Sequence, residues 1–166
     1  MRKAIMMAIA FVAMIVADQY TKYLAILYLK DQMPIPVIKD IFELQYLENR
    51  GAAFGSMEGK QIFLQLITVV ILAAIVYACV KIPKEKRYVP LQIIFVMLGA
   101  GAIGNFIDRI FNGYVVDFLY FKWINFPIFN VADCYVTLGA IGLMILILFV
   151  YKEEEFEFLW KKKEDA

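Results

Sequence analysis

Four stretches of roughly 20 apolar residues, each bounded by charge or by turn residues, constrain this chain more than any other feature. They cover residues from 4 to about 29, 62 to 80, 89 to 107 and 131 to 151. Coiled into a helix at a rise of about 1.5 Å per residue, each is long enough to cross the hydrocarbon core of a bilayer. Hydrophobic residues make up 63% of the 166, against roughly 45–50% in soluble proteins. A chain this short cannot hide that much apolar surface in one core, so lipid must take the excess. The expected fold is a single polytopic domain: an α-helical membrane protein with four transmembrane helices.

Basic residues mark the cytoplasmic side of a membrane protein. Arg2 and Lys3 precede the first stretch, Lys81, Lys84, Lys86 and Arg87 sit between the second and third, and Lys152 and Lys161 to Lys163 follow the fourth. All of these fall on one side of a four-span arrangement. Both termini are therefore expected in the cytoplasm, and segments 30–61 and 108–130 outside it. A basic pair before an apolar run also begins cleavable signal peptides. A cut after Ala17 would put Ile15 where a small residue is needed, and the run continues through Tyr20 and Leu24, so a retained span is expected.

The outer segments have a different texture. Pro34, Pro36 and Gly51 punctuate the first, and Ile41 to Leu47 partly alternate between apolar and polar, a strand signal. The second is rich in aromatic residues from Phe118 to Phe129, which favour the water–lipid boundary. A small sheet on the outer surface follows from these patterns. The charged tail from Lys152 onward reads as a solvated helix end.

Several function classes drop out. A net charge of +1 supplies no basic stripe for nucleic acid. The absence of histidine removes His-based triads and most zinc sites, and no metal or other cofactor is expected. Cys79 and Cys134 fall near opposite faces, too far apart for a disulfide, and read as small packing residues.

The informative residues are the polar ones in or beside the spans, because an ionisable group at membrane depth costs about 2.5–3.5 kcal/mol or more. Asp18 and Lys22 lie four residues apart on one helical face. They read either as an internal ion pair or as supports for a nearby site. Asn49, Arg50 and Gly51 form a turn or a substrate-holding loop. Gly99, Gly101 and Gly104 suit close helix packing. Asn105, Asp108 and Arg109 then gather at the outer end of the third span. Asp117 and Asp133 are lone acids in apolar surroundings, both at the outer border. Two acids at one depth invite a shared proton.

Five motifs in order, Asp18-Gln19-Tyr20-Thr21-Lys22, Asn49-Arg50-Gly51-Ala52-Ala53-Phe54, Gly104-Asn105-Phe106-Ile107-Asp108-Arg109, Val115-Val116-Asp117-Phe118 and Phe129-Asn130-Val131-Ala132-Asp133, resemble the lipoprotein signal peptidase (signal peptidase II) family over nearly the whole chain. Arg50 stands where many members carry a small or polar residue. The resemblance implies an intramembrane aspartyl endopeptidase of the bacterial cytoplasmic membrane that removes signal peptides from prolipoproteins, cutting before the diacylglyceryl-modified cysteine. It implies a catalytic pair at Asp117 and Asp133. Supporting positions are Asp18, Lys22, Asn49, Gly51, Asn105, Asp108, Arg109 and Asn130. It further implies an extracytoplasmic β-cradle with a short surface helix, and inhibition by cyclic peptides of the globomycin type; a monomer is expected.

The chemistry agrees with that family. Without His, metal or an activated Ser or Cys, a carboxylate pair sharing one proton is the natural peptide hydrolase. Which acid holds the proton stays open. A proton-conducting subunit would also carry intramembrane acids, but its polar groups would line the full depth, and here they gather at one face. A scaffold with a polar cap would make the two acids matter for stability alone.

Overall fold

The structure, a computed structural model, describes residues 2–51 and 61–160, apart from the side chain of Gln61. Ala52, Ala53 and Phe54 of the second motif, and Lys161 to Lys163, lie outside the described residues.

Helix α1 (Arg2–Leu29), strand β1 (Ile35–Ile38), strand β2 (Phe42–Asn49), helix α2 (Gln61–Lys81), helix α3 (Val89–Phe111), strand β3 (Val115–Phe121) and helix α4 (Val131–Ile145) follow one another along the chain. Four helices are long and apolar enough to cross a membrane. The molecule is thus a multi-pass helical membrane protein with a small sheet at one end of the bundle. Helix α3 is the central one: a third of its most apolar window is buried by protein, against 6% for α1 and for α2. The remaining apolar surface faces outward, as lipid contact requires.

Small residues set the spacing around α3. A Cβ added to Gly101 would lie 2.5 Å from the Ala132 carbonyl oxygen and 2.8 Å from Val136, so this glycine is what lets α4 approach. A Cβ on Gly104 would meet Asp18 Oδ2 at 2.5 Å. The buried residues of α1, Asp18, Lys22, Ala25 and Leu29, recur every three or four positions and form one stripe. Its polar half meets α3 and α4. Its apolar half packs with Val116 and Phe118 of β3, joining the bundle to the sheet.

The sheet is antiparallel in the order β1-β2-β3. Leu47 pairs with Asp117 and Asn49 with Val115, and a bulge interrupts the β2–β3 ladder between Leu44 and Leu47. Among the described residues, the helical structure between β1 and α4 outside the four spans is confined to the short turns Lys86–Tyr88 and Lys122–Ile124; the second lies beside the sheet.

Two expectations need correcting. The third span runs to Phe111, so Asp108 and Arg109 sit in the last turn of α3 and not in an outer segment. The described part of the tail, up to Trp160, is not a solvated helix end. After a π-helical turn at Leu146–Val150 the chain leaves the α4 axis, and Glu153–Leu159 folds back as a 3-10 helix. Phe156 and Phe158 of that helix pack against Tyr88, Leu91 and Tyr151, while Arg87 stacks on the Tyr151 ring and pairs with Glu155.

Candidate active site

The polar residues singled out in the sequence converge where α1, α3, α4 and β3 meet. Lys22 is the hub. Its ammonium lies 2.9 Å from Asp18 Oδ2, 3.1 Å from Asp108 Oδ2 and 2.9 Å from Asn105 Oδ1. That uses all three of its protons. Lys22 and both carboxylates are buried. A buried charge is tolerable only when its remaining lone pairs are also satisfied, and here they are. Asp18 Oδ1 accepts the Ala132 backbone N–H at 2.8 Å, and Asp108 Oδ2 accepts the Val116 backbone N–H at 3.0 Å. Asp18 and Lys22 thus form an i,i+4 ion pair; Asp18 holds the first turn of α4, and Lys22 anchors Asp108, which holds the start of β3.

Asp133 is positioned by a capping box. Asn130, at the N-cap of α4, accepts the Asp133 backbone N–H on Oδ1 at 3.0 Å, and Asp133 Oδ2 accepts the Asn130 backbone N–H at 3.1 Å. The other oxygen, Oδ1, accepts from Asn105 Nδ2 at 2.7 Å. Asp117 comes from β3, whose neighbours Val116 and Phe118 pack toward α1. Strand alternation sends the intervening carboxyl the other way. Asp117 Oδ1 accepts from Asn130 Nδ2 at 2.6 Å, and Oδ2 accepts from Asn49 Nδ2 at 2.8 Å. Asn49 reaches it from the position beside Val115, two residues along on the same face of the sheet. The Gly51 backbone N–H, 3.0 Å from Asn49 Oδ1, fixes the direction of that amide.

Asn130 thus touches both acids, one through its side chain and one through its cap. Burial is the main cause that pushes the Asp117 carboxyl up to about 7, and the nearby Asp133 charge adds to it; hydrogen bonds from Asn49 and Asn130 and the Lys22 cation pull the other way. An acid poised there is half-ionised near neutral pH, as general acid–base chemistry requires.

Both acids open onto a cavity of about 1090 Å³, with Asn49, Gly51, Asn105 and Arg109 also in its wall. Arg109 donates to the backbone oxygens of Asn105 and Gly51 at 3.4 and 3.5 Å, tying α3 to the loop after β2. One flank is apolar, with Phe121, Ile124, Phe126, Phe129 and Leu138. Of the ten predicted site residues, Asp18, Lys22, Asp108 and Asn130 do not line the cavity but hold those that do, directly or through the backbone.

Two residues were missed. Gln19 Nε2 contacts Asp18, Asp108 and the Gly104 carbonyl oxygen, and Gln65 Nε2 donates to the Arg109 carbonyl oxygen at 3.2 Å. Each is an amide inside an apolar span, which is the signal that finds it.

The chain matches the family model for Signal peptidase (SPase) II over residues 10–149. It is 48% identical over 145 residues to a lipoprotein signal peptidase of Caldanaerobacter subterraneus subsp. tengcongensis, covering 86% of this chain and 97% of that one. It is 44% identical over 139 residues to a lipoprotein signal peptidase of Brevibacillus brevis, covering 83% and 91%. A solved bacterial membrane enzyme superposes with a TM-score of 0.77 at 35% identity, over 89% of this chain and 92% of the other. With the match running through every helix and every motif, this chain belongs to the signal peptidase II family.

Proposed function

We propose that this protein is an intramembrane aspartyl endopeptidase that removes signal peptides from diacylglyceryl-modified prolipoproteins, cutting before the lipidated cysteine, with Asp117 and Asp133 as the catalytic pair. The observation that carries the reading is that two carboxyls from different elements, braced by the one residue Asn130, face the same cavity.

Two such groups share a single proton. The ionised one takes a proton from water, and the hydroxide oxygen bonds to the scissile carbonyl carbon. The neutral one hydrogen-bonds the carbonyl oxygen as charge develops there. Collapse of the tetrahedral intermediate breaks the C–N bond, and the amine leaves with the proton that water gave up. Asn49, Asn105 and Arg109 hold the acids and the substrate backbone in register, and no cofactor takes part.

Placement suits the substrate. With the basic clusters cytoplasmic, the sheet end of the bundle lies at the extracytoplasmic face of the bacterial cytoplasmic membrane. The apolar part of a signal peptide stays in the bilayer, and its cleavage site reaches the pair at the border. The aromatic flank of the cavity accommodates lipid chains or an apolar cyclic peptide such as those of the globomycin type. The protein acts as a monomer.

The test is incubation of the purified protein with a diacylglyceryl-modified precursor and with its unmodified counterpart. Cleavage of the first alone is expected, and Asp117→Asn or Asp133→Asn should abolish it while the protein stays inserted. Full activity in either variant ends the proposal of a catalytic pair, and equal cleavage of both precursors ends the lipid requirement.

A further inference from the structure

The two acids are not held alike, and part of the difference traces to a residue that touches neither. An ammonium group only donates. Because Lys22 Nζ lies 2.9 Å from the Asn105 side chain, with Asn130 Nδ2 at 3.0 Å on the same oxygen, the amide must turn its oxygen there, and Nδ2 is thereby aimed at Asp133 Oδ1. The other Asp133 oxygen faces the Asn130 backbone N–H. Both oxygens of Asp133 therefore meet groups that can only donate. Asp133 is also the third residue of α4, where the helix N-terminus favours negative charge.

Asp117 is served less well. It lies on a strand and meets the start of α4 only through the Asn130 side chain, and its two donors are side-chain amides, with no backbone N–H among them. One of them is overcommitted. Asn130 Nδ2 has two protons for three acceptors: Asp117 Oδ1 at 2.6 Å, Asn105 Oδ1 at 3.0 Å and the Val116 carbonyl oxygen at 3.3 Å.

We propose that Lys22 is a positioning residue that fixes the charge pattern of the pair: acting through the Asn105 amide, it holds Asp133 as the carboxylate and leaves the shared proton on Asp117. The inference rests on the aspartyl-peptidase reading and assigns the roles within it. Asp133 takes the proton from water, whose oxygen bonds to the scissile carbon. Asp117 donates its hydrogen to the carbonyl oxygen and recovers it as the intermediate collapses. The leaving nitrogen then takes the proton held by Asp133. The other charged or titratable groups around Asp133 are Asp18 from α1, Asp108 and Arg109 from α3, Asp117 from β3 and its neighbour Cys134. Lys22 reaches Asp133 through the one intervening Asn105 amide and Asp117 reaches it through Asn130, while the Lys22 cation is shared with Asp18 and Asp108.

The pH dependence of precursor cleavage separates this from a merely structural role. The acid limb of a bell-shaped profile reports ionisation of the base, and the alkaline limb reports loss of the acid's proton. Lys22→Met should move the acid limb to higher pH by about one unit, an approximately tenfold relative loss on that limb, and move the alkaline limb upward by less, because the same cation also acts on Asp117 from further away. Lys22→Arg, which keeps the charge, should return the limb toward the wild-type position. Asn49→Ala removes a donor from Asp117 alone and should move only the alkaline limb, upward. Exchange of the two effects, or a uniform loss in Lys22→Met with both limbs unmoved, overturns the assignment. If Lys22→Met does not accumulate, Asn49→Ala decides: movement of the alkaline limb supports the assignment, and movement of the acid limb, or of neither, overturns it. Failure of the wild-type protein to cleave any precursor is a different result and strikes the peptidase reading itself.

Discussion

Replacing Asp117 by Asn should make the protein more stable at alkaline pH and less stable at acid pH. In the folded protein the Asp117 carboxyl is displaced from 3.8 to about 7, first by burial and then by Asp133. Between those values the unfolded chain has released its proton and the folded chain still holds it. Each pH unit upward therefore costs the native state about 1.4 kcal/mol, and the cost levels off above pH 7 at about 4 kcal/mol. Asn is neutral and escapes that penalty. It brings one of its own: both Asp117 oxygens accept from amide Nδ2 groups, so the Asn amide must set one donor against another. The Asn49 amide is already committed to the Gly51 N–H and cannot turn without losing that bond. The mismatch costs about 1–3 kcal/mol at every pH. The balance favours Asn by about 1–3 kcal/mol at pH 8 and disfavours it by up to about 2 kcal/mol near pH 4, with the lines crossing between about pH 4.5 and 6. Thermal unfolding of both proteins in one detergent at pH 4 and pH 8 reads this directly. The variant should melt on the order of 5 °C higher at pH 8 and a few degrees lower at the acid end. A stability gap of constant sign and size across that range would show that Asp117 is not a buried, titrating acid.

Gly101→Ala should destabilise by about 1–3 kcal/mol and reduce cleavage beyond the loss of folded protein, because the new methyl pushes on the Ala132 carbonyl next to Asp133; melting and specific activity together check it. Glu155, held down to about 2 chiefly by the Arg87 guanidinium, should keep the C-terminal turn docked throughout the physiological range. The stabilisation from this depressed acid is present above its ordinary value and is lost as pH falls toward 2. Glu155→Gln should therefore speed amide exchange over residues 152–160 at neutral pH, and unchanged exchange would refute the coupling. Cleavage should persist after exhaustive metal chelation; its loss, with recovery on adding back a divalent ion, would argue for a metallopeptidase.

The spans were readable because lipid asks only for length and apolar character, and no competing fold offers that many contiguous apolar residues. Their ends were less readable. Asp108 and Arg109 looked like loop residues because isolated charges usually end a membrane helix. Here the helix continues because Asp108 finds Lys22 and the Val116 N–H inside the protein. The third strand was hidden for a related reason. Val115, Val116, Asp117 and Phe118 are all buried, so the alternation that marks a strand with one wet face is erased. Asn130 and Asp133 stand three residues apart before an apolar run, which is a capping signature. The bridge from Asn130 to Asp117 depends on β3 lying beside the start of α4, and no local pattern announces that. The tail misled because Glu153 to Glu155 dominate its composition, while Phe156 and Phe158 decide where it goes.

Asp18 accepts a backbone N–H from Ala132, a residue 114 positions further along the chain. Helix α1 emerges from the ribosome long before that partner exists, and before Asn105 and Asp108 do. During that interval Asp18 and Lys22 have only each other and Gln19. Their four-residue spacing lets the first helix enter the bilayer as a neutral dipole. The same two side chains are then reapportioned as α3 and finally α4 arrive. Assembly of the candidate site is thereby tied to completion of the last span.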